Sequence, residues 1–377
     1  MAKIVYLSKF PPLEGGIAAK TFWLTKALGE QGHEIHIVTD RLGVVPEYSH
    51  PMEGAGSASK NIFVHRPQGD IPWHIPNDNH RTVELLDLVV RVIRETRADV
   101  IDTGYLIPYG LIGYLASQIT GVPFLLRHGG SDIQKFVQAG IWNNLIRNAF
   151  ENASLAITDT INYDAIQQLS HRVTALPPYA PDPSFFYYSD TAPKGQPILA
   201  LIGKANYHWR HKGWHRVIDI MKHLRTNFKL VIVSQGIGIG EFRKYAEEKI
   251  DGNIEWRSFV HPLEMPELFH SINGIFYLCQ DLPFPVFSNL IPEAVYCGKT
   301  VITDQPDIFQ TYRKEGLDIE KFSPGVGLIP GNDPASAARI ISDHFPGLNT
   351  SEKTRAIDKQ DYQSYIQENE KTILSVL

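Results

Sequence analysis

Residues 3–39, KIVYLSKFPPLEGGIAAKTFWLTKALGEQGHEIHIVT, decide the fold class. Residues 3–7, KIVYL, are a mostly apolar stretch of strand length, and residues 34–39, EIHIVT, are a second rich in β-branched residues. Between them lie a Pro-Gly loop at residues 11–16 and an amphipathic pattern at residues 17–31, stopped by Gly32-His33. Strand, helix and strand at this spacing form a βαβ unit. That unit implies a parallel sheet with right-handed crossovers.

The same grammar continues outward. Strands are expected at residues 61–65, 99–103, 123–126 and 155–158, with helices at 82–96 and 110–120. Residues 42–60 lack periodicity and are rich in Gly, Ser and Pro, and a loop that long in a compact domain is usually functional or mobile. Patterning collapses into prolines and aromatics around residues 177–194 and then restarts. Strands are expected at 198–202, 229–233, 254–259 and 274–279, and helices at 213–224, 240–249 and 265–272. The stretch PFPVFSNLIPEAVYCGKTVITD, residues 283–304, adds a polar loop, a helix opening on Pro292-Glu293, a Cys297-Gly298 stop and a strand at 300–302. The expected organisation is α/β: a Rossmann-like domain at 1–186, a linker at 187–196 and a second Rossmann-like domain at 197–360. A helix at 361–377 is expected to pack back across the domain boundary. Two doubly wound sheets of this kind bind ligands at the carboxyl ends of their strands, and a cleft between two such edges is the default site.

Bulk composition narrows the function. At 377 residues the chain is long enough for two cores, and 43% hydrophobic with 20% charged residues is ordinary for a globular protein. The formal net charge of -5 gives no electrostatic footprint for nucleic acid. The two cysteines, Cys279 and Cys297, sit in apolar runs and make no disulfide framework, which fits a reducing compartment. No signal peptide is expected from MAKIVYLSKF, and no run approaches the roughly 18 apolar residues of a membrane span. A cytoplasmic protein is expected, with peripheral contact at an inner membrane face allowed.

Six loops carry candidate chemistry. Gly15 and Gly16 join the first strand to its helix, where glycine admits close approach and a helix N-terminus suits an anion. Arg127, His128 and Asp132 follow the strand at 123–126, His128 as a hydrogen-bond donor to a sugar hydroxyl and Asp132 as an acceptor or helix cap. Gly203-Lys204 ends the first strand of the second half and Lys212-Gly213 opens the next helix; two cations flanking one loop fit a diphosphate clamp, and Arg210 shares the loop. Ser288, Asn289 and Leu290 aim backbone N–H groups ahead of a helix whose first turn holds Glu293. Gly236, after the strand at 229–233, and Val260, after the strand at 254–259, are candidates for a nucleotide pocket. No metal motif occurs: the 15 histidines are scattered, without H-E-x-x-H or paired C-x-x-C.

In serial order these segments resemble the retaining GT-B glycosyltransferases of family 4. The resemblance is carried by PPLEGGIAAKTFWLTKALGEQGHEIHIVT, FLLRHGGSD, ITDTINYDAI with ALPPYAPDPSFF, LIGKANYHWRHKGW and FSNLIPEAVYCGKTVIT. It implies a GT-B fold, two Rossmann-like domains facing across a cleft. The activity implied is sugar transfer, with retention and without metal, from a UDP- or GDP-linked donor to a glycan, lipid-linked or small-molecule acceptor. No other cofactor is implied. By resemblance Gly16 contacts the donor phosphate and His128 the transferred sugar. Lys212 is the diphosphate lysine, and Lys204 stands where the family usually has arginine. Glu293, the second glutamate of the E-x7-E motif, holds the ribose hydroxyls, and residues 288–290 form the loop that contacts phosphate and sugar. One position departs: the first glutamate falls on Pro285, with Asp281 four residues earlier as the nearest carboxylate. That departure keeps open a catalytically silent GT-B protein that binds nucleotide sugar or serves as a partner subunit.

Overall fold

A computed structural model describes residues 1–43, 46–49, 60–69, 77–189, 195–224, 228–250, 252–278, 288–320, 326–330, 332–344 and 359–377. Asp281 and Pro285 lie outside the described residues. The chain divides into two compact units. The first comprises Met1–Pro46, Met52–Pro178 and Gln363–Leu377, and the second Glu47–Pro51 and Tyr179–Tyr362.

In the first unit the opening stretch folds as expected, into β1 (Lys3–Leu7), α1 (Gly16–Glu30) and β2 (Glu34–Val38). There follow β3 (Ile62–His65), α2 (Asn77–Thr96), β4 (Val100–Thr103), α3 (Leu111–Thr120), β5 (Phe124–Arg127), α4 (Asn143–Asn152), β6 (Leu155–Thr158), α5 (Tyr163–Gln167) and β7 (Val173–Ala175). Among the described residues these make one parallel sheet in the order β3-β2-β1-β4-β5-β6-β7. Chain order reverses between β1 and β4, the topological switch point of a doubly wound sheet. One face buries Val5, Leu7, Val38, Ile101 and Leu126 against Leu85, Val89 and Val92 of α2, Ile112 of α3 and Ile146 of α4.

The second unit repeats the plan with β8 (Ile198–Lys204), α6 (Trp214–Leu224), β9 (Lys229–Gln235), α7 (Ile239–Glu247), β10 (Ile254–Arg257), α8 (Met265–His270), β11 (Gly274–Tyr277), α9 (Leu290–Tyr296), β12 (Thr300–Thr303), α10 (Ile308–Lys314), β13 (Val326–Leu328) and α11 (Pro334–His344). Its sheet runs β10-β9-β8-β11-β12-β13, so β8 and β11 form an equivalent switch point. Trp209, Trp214, Phe242 and Trp256 pack ring against ring beneath this edge. The final helix, α12 (Lys359–Leu374), has its residues from Gln363 onward in the first unit. There His33 pairs with Glu370 at 2.8 Å.

Several boundaries differ from the sequence expectation for identifiable reasons. Arg127 is the last residue of β5 rather than the first of a loop, because its side chain is buried and paired. Strand β9 runs through Ser234 and Gln235, held by register pairing to Gly203 and Lys204. Helix α9 begins at Leu290, two residues ahead of Pro292, which then occupies the helix's first turn, where no N–H is required.

Candidate active site

At the carboxyl edge of the first sheet, α1 starts directly after Gly15. One turn on, Lys20 shares the face of Gly16 by helical spacing. Burial, reinforced by the Arg127 guanidinium, lowers the Lys20 ammonium pKa to about 8, and Asp159 and Asp102 act in the opposite sense. Arg127 itself is spent on structure. Its Nε and Nη2 donate to the two Asp102 carboxylate oxygens at 2.6 and 2.8 Å, and Nη1 donates to Asn369 Oδ1 at 2.8 Å. Asp102 is fully buried, so the pair and its Asn369 partner tie β4, β5 and α12 together.

His128 is oriented at both ring nitrogens. Nδ1 accepts from the Gly130 N–H at 3.1 Å, which leaves the proton on Nε2, 2.7 Å from Thr158 Oγ1. Burial lowers its pKa, so the ring is neutral, a donor at Nε2. Asp132 accepts from the N–H groups of Gly129 (2.9 Å), Leu106 (3.0 Å) and Ile133 (3.1 Å), so it organises the loop that presents His128. This is the capping role expected of it, extended to a second loop.

At the edge of the second sheet the two lysines come together. Lys212 Nζ donates to the Lys204 carbonyl at 2.9 Å, which lays the Lys212 stem back across the end of β8. Gly213 follows with φ 67°, and a Cβ there would stand 2.7 Å from Leu278 Cβ and 2.8 Å from Arg216 Nη2. Only glycine fits this turn without strain. Arg216, on α6, forms a buried ion pair with Asp304 at 2.7 Å, just past β12. The loop's conformation is therefore fixed from beneath by a charge pair that periodicity does not reveal. Arg210 points its guanidinium elsewhere, over the rings of Trp209 (4.2 Å) and Tyr245 (5.0 Å) and toward Glu241 at 3.4 Å.

Gly236 has φ 129°, and a Cβ on it would lie 2.5 Å from the Ala205 carbonyl oxygen. Its glycine identity is explained by the packing of two loops of the chain itself, joined by Gly238 N–H to Ala205 O at 2.8 Å. Beside it Ser234 Oγ is buried with no hydrogen-bond partner among the described residues, a polar group at a strand's carboxyl end. Val260 is half-buried three residues after β10.

Glu293 is 4% exposed. Burial raises its carboxyl pKa to about 8, an effect that the nearby Tyr179 hydroxyl opposes. At neutral pH the group is therefore mostly protonated and can both donate and accept. The N–H groups before it are partly committed: Leu290 N–H reaches Ser288 Oγ at 3.3 Å and Ile291 N–H reaches Ser288 O at 3.3 Å. The Ser288 carbonyl also accepts from the Tyr312 hydroxyl at 2.7 Å. Asn289 caps α9 without a side-chain hydrogen bond to it. Among the described residues no three His, Cys, Asp or Glu side chains group as a metal site.

Lys20, Asp102, Asn369, Arg216 and Asp304 were not singled out from sequence. Lys20 carried a faint signal, its i, i+4 spacing from Gly16; the others meet partners 25 to 242 residues away in sequence or stand alone in their segments.

Comparison with known proteins agrees with this architecture. Residues 15–160 match the glycosyl transferase 4-like domain. The chain is 28% identical over 149 residues to an N-acetyl-alpha-D-glucosaminyl L-malate synthase of Bacillus anthracis, covering 38% of this chain and 36% of that protein. It thus spans about a third of that relative's length. The sucrose-phosphate synthase of Thermosynechococcus elongatus superposes with a TM-score of 0.72 at 15% identity, over 100% of both chains. Anabaena HepE, solved in complex with UDP and glucose, does so with a TM-score of 0.68 at 16% identity, again over 100% of both. Residues 15–160 therefore match a glycosyl transferase 4-like domain, within a chain that has the GT-B fold of these structures.

Proposed function

We propose that the protein transfers a sugar, with retention at the anomeric carbon, from a nucleoside diphosphate sugar to an acceptor hydroxyl. The observation that carries this reading is the Lys204–Lys212 pair at the carboxyl end of β8, the switch point of the second sheet. Two ammonium groups on one loop, with a glycine turn braced by Arg216–Asp304, are suited to a diphosphate. The UDP in the HepE structure makes a uridine donor the first to test. Glu293 would face the ribose hydroxyls. Gly16 is the candidate contact for a phosphate and His128 the candidate contact for a sugar hydroxyl.

In the proposed reaction the acceptor oxygen bonds to the anomeric carbon as the bond from that carbon to the diphosphate oxygen breaks. Both events occur on the same face. The acceptor proton passes to the leaving phosphate, and Lys204 and Lys212 balance the charge that develops there. Preorganised donors of this kind are worth ~3–4 kcal/mol each. The reading needs no metal ion. The acceptor would be a glycan, a lipid-linked sugar or a small molecule, and the protein would work in the cytoplasm or at the inner face of a membrane.

The test is a thermal-shift panel of nucleoside diphosphates and nucleotide sugars, followed by transfer assays with the donor that binds. Ligand at 100 times its dissociation constant stabilises by ~2.7 kcal/mol, a readily measured shift. NMR of the product then reports the anomeric configuration, and an inverted product overturns retention. Pro285 favours a second reading, a GT-B protein that binds nucleotide sugar without turning it over. Tight nucleotide binding with no sugar released to any acceptor in the panel supports that reading over the first.

A further inference from the structure

We propose that Tyr48 is a positioning residue for Lys204, holding its ammonium ready for the donor diphosphate. Residues 47–49 group with the second unit, although they come from the irregular stretch early in the chain. There the Tyr48 ring lies under Lys204 Nζ, 5.1 Å from ring centroid to nitrogen. The same ring abuts the end of β9: a Cβ on Gly236 would come within 2.7 Å of Tyr48 Cε1. Lys204 and Gln235 are register partners on β8 and β9, so Tyr48 bridges the loops that leave two neighbouring strands of the switch point. It is half-buried, while Pro46 and Glu47 before it are exposed.

Lys212 has its ammonium tied to the Lys204 carbonyl. Lys204 carries its charge on a flexible four-carbon stem, which must give up rotamer freedom to meet a phosphate. An aromatic face beneath the ammonium restrains that stem without neutralising its charge. The glycine at 236 then has a second purpose, since any side chain there would displace the ring. The hydroxyl has no part in this role, so phenylalanine should replace tyrosine.

This inference rests on the reading of Lys204 as a phosphate contact, and the experiment separates the two. UDP and GDP are titrated calorimetrically into the full-length wild-type protein and into Tyr48→Phe, Tyr48→Leu and Lys212→Ala. In parallel, reductive 13C-methylation reports the Lys204 resonance, identified by its loss in Lys204→Arg. Expected are nucleotide affinity for Tyr48→Phe within about twofold of wild type, and for Tyr48→Leu about three- to fivefold weaker, the size of an exposed cation–π contact. The Lys204 methyl signal should be shifted upfield by the ring in wild type and Tyr48→Phe and return to the common lysine position in Tyr48→Leu. Unchanged affinity in Tyr48→Leu, or an equal loss in Tyr48→Phe, overturns the positioning role; if Lys212→Ala still weakens binding, the phosphate reading survives. Absence of binding by wild type to either nucleotide overturns both.

Discussion

The two sheets share the order of their first six strands, to which the first sheet adds β7, yet their switch points are furnished in opposite ways. In the first unit the charged groups at the carboxyl edge are paired inward: Arg127 is enclosed by Asp102 and Asn369, and His128 and Asp132 satisfy loop atoms of the same unit. In the second unit the braced pair, Arg216–Asp304, lies beneath the loop, and the loop itself presents Lys204 and Lys212. A buried pair adds little net stability, but breaking one is costly because it strands a charge. The first edge is thus a stiff frame around one oriented imidazole, and the second is a cationic seat on a stiff base. The lesson is that topology places a site while local charge pairing decides what the site can hold.

This contrast can be broken at several points. The largest effect is expected from Arg127→Met, which leaves Asp102 buried and unpaired and should cost about 3–5 kcal/mol in chemical denaturation. A loss below about 1 kcal/mol would mean that Arg127 is not a structural pair and would reopen it as a ligand contact. Lys212→Ala should leave the denaturation midpoint near wild type while lowering glycosyl transfer by about 10²–10³-fold. Equal turnover in that variant would remove the lysine from the chemistry. Gly213→Ala should destabilise by roughly 1–3 kcal/mol, because its φ of 67° and the contact with Arg216 both oppose a side chain. Full stability in this variant would show that the turn is not braced as described.

The remaining effect concerns Glu293 and is read from a pH profile. Its folded pKa, raised to about 8, lies above the carboxyl's value of ~4.3 in the unfolded chain. The folded protein therefore holds the proton more tightly. The associated stability is complete below pH ~4.3 and is lost as pH rises through about 8. Glu293→Gln cannot titrate, so its melting temperature should fall less than that of wild type between pH 5 and 8.5. Parallel profiles for the two proteins would place the carboxyl in a more solvated setting.

The fold was legible because both halves repeat a local grammar of strand, loop and helix, and local patterns need only neighbouring residues. The stretch at residues 3–39 and the segment ending in TVIT folded nearly where their periodicity placed them. Short edge elements such as β7 and β13 escaped, since three residues carry no period. Site residues at strand ends were legible for the same topological reason that ligands bind there. What each one does was less so. Arg127 reads as a ligand contact until Asn369, 242 residues later, is seen to occupy it. Arg210 reads as a phosphate cation until Trp209 and Tyr245 are seen beneath it. Lys20 and Arg216 sit near the starts of their helices, where a sequence shows a face but not the charges that face it.

The central claim is that the second switch point is a diphosphate seat built from Lys204 and Lys212. Calorimetric titration of UDP and GDP into wild type and the Lys204→Ala/Lys212→Ala double variant tests it most directly. Wild type should show a single binding event for one of the two nucleotides, and the double variant an affinity lower by at least about 100-fold, two charge-assisted contacts of ~1.5 kcal/mol or more being lost. Equal affinity in both proteins would contradict it.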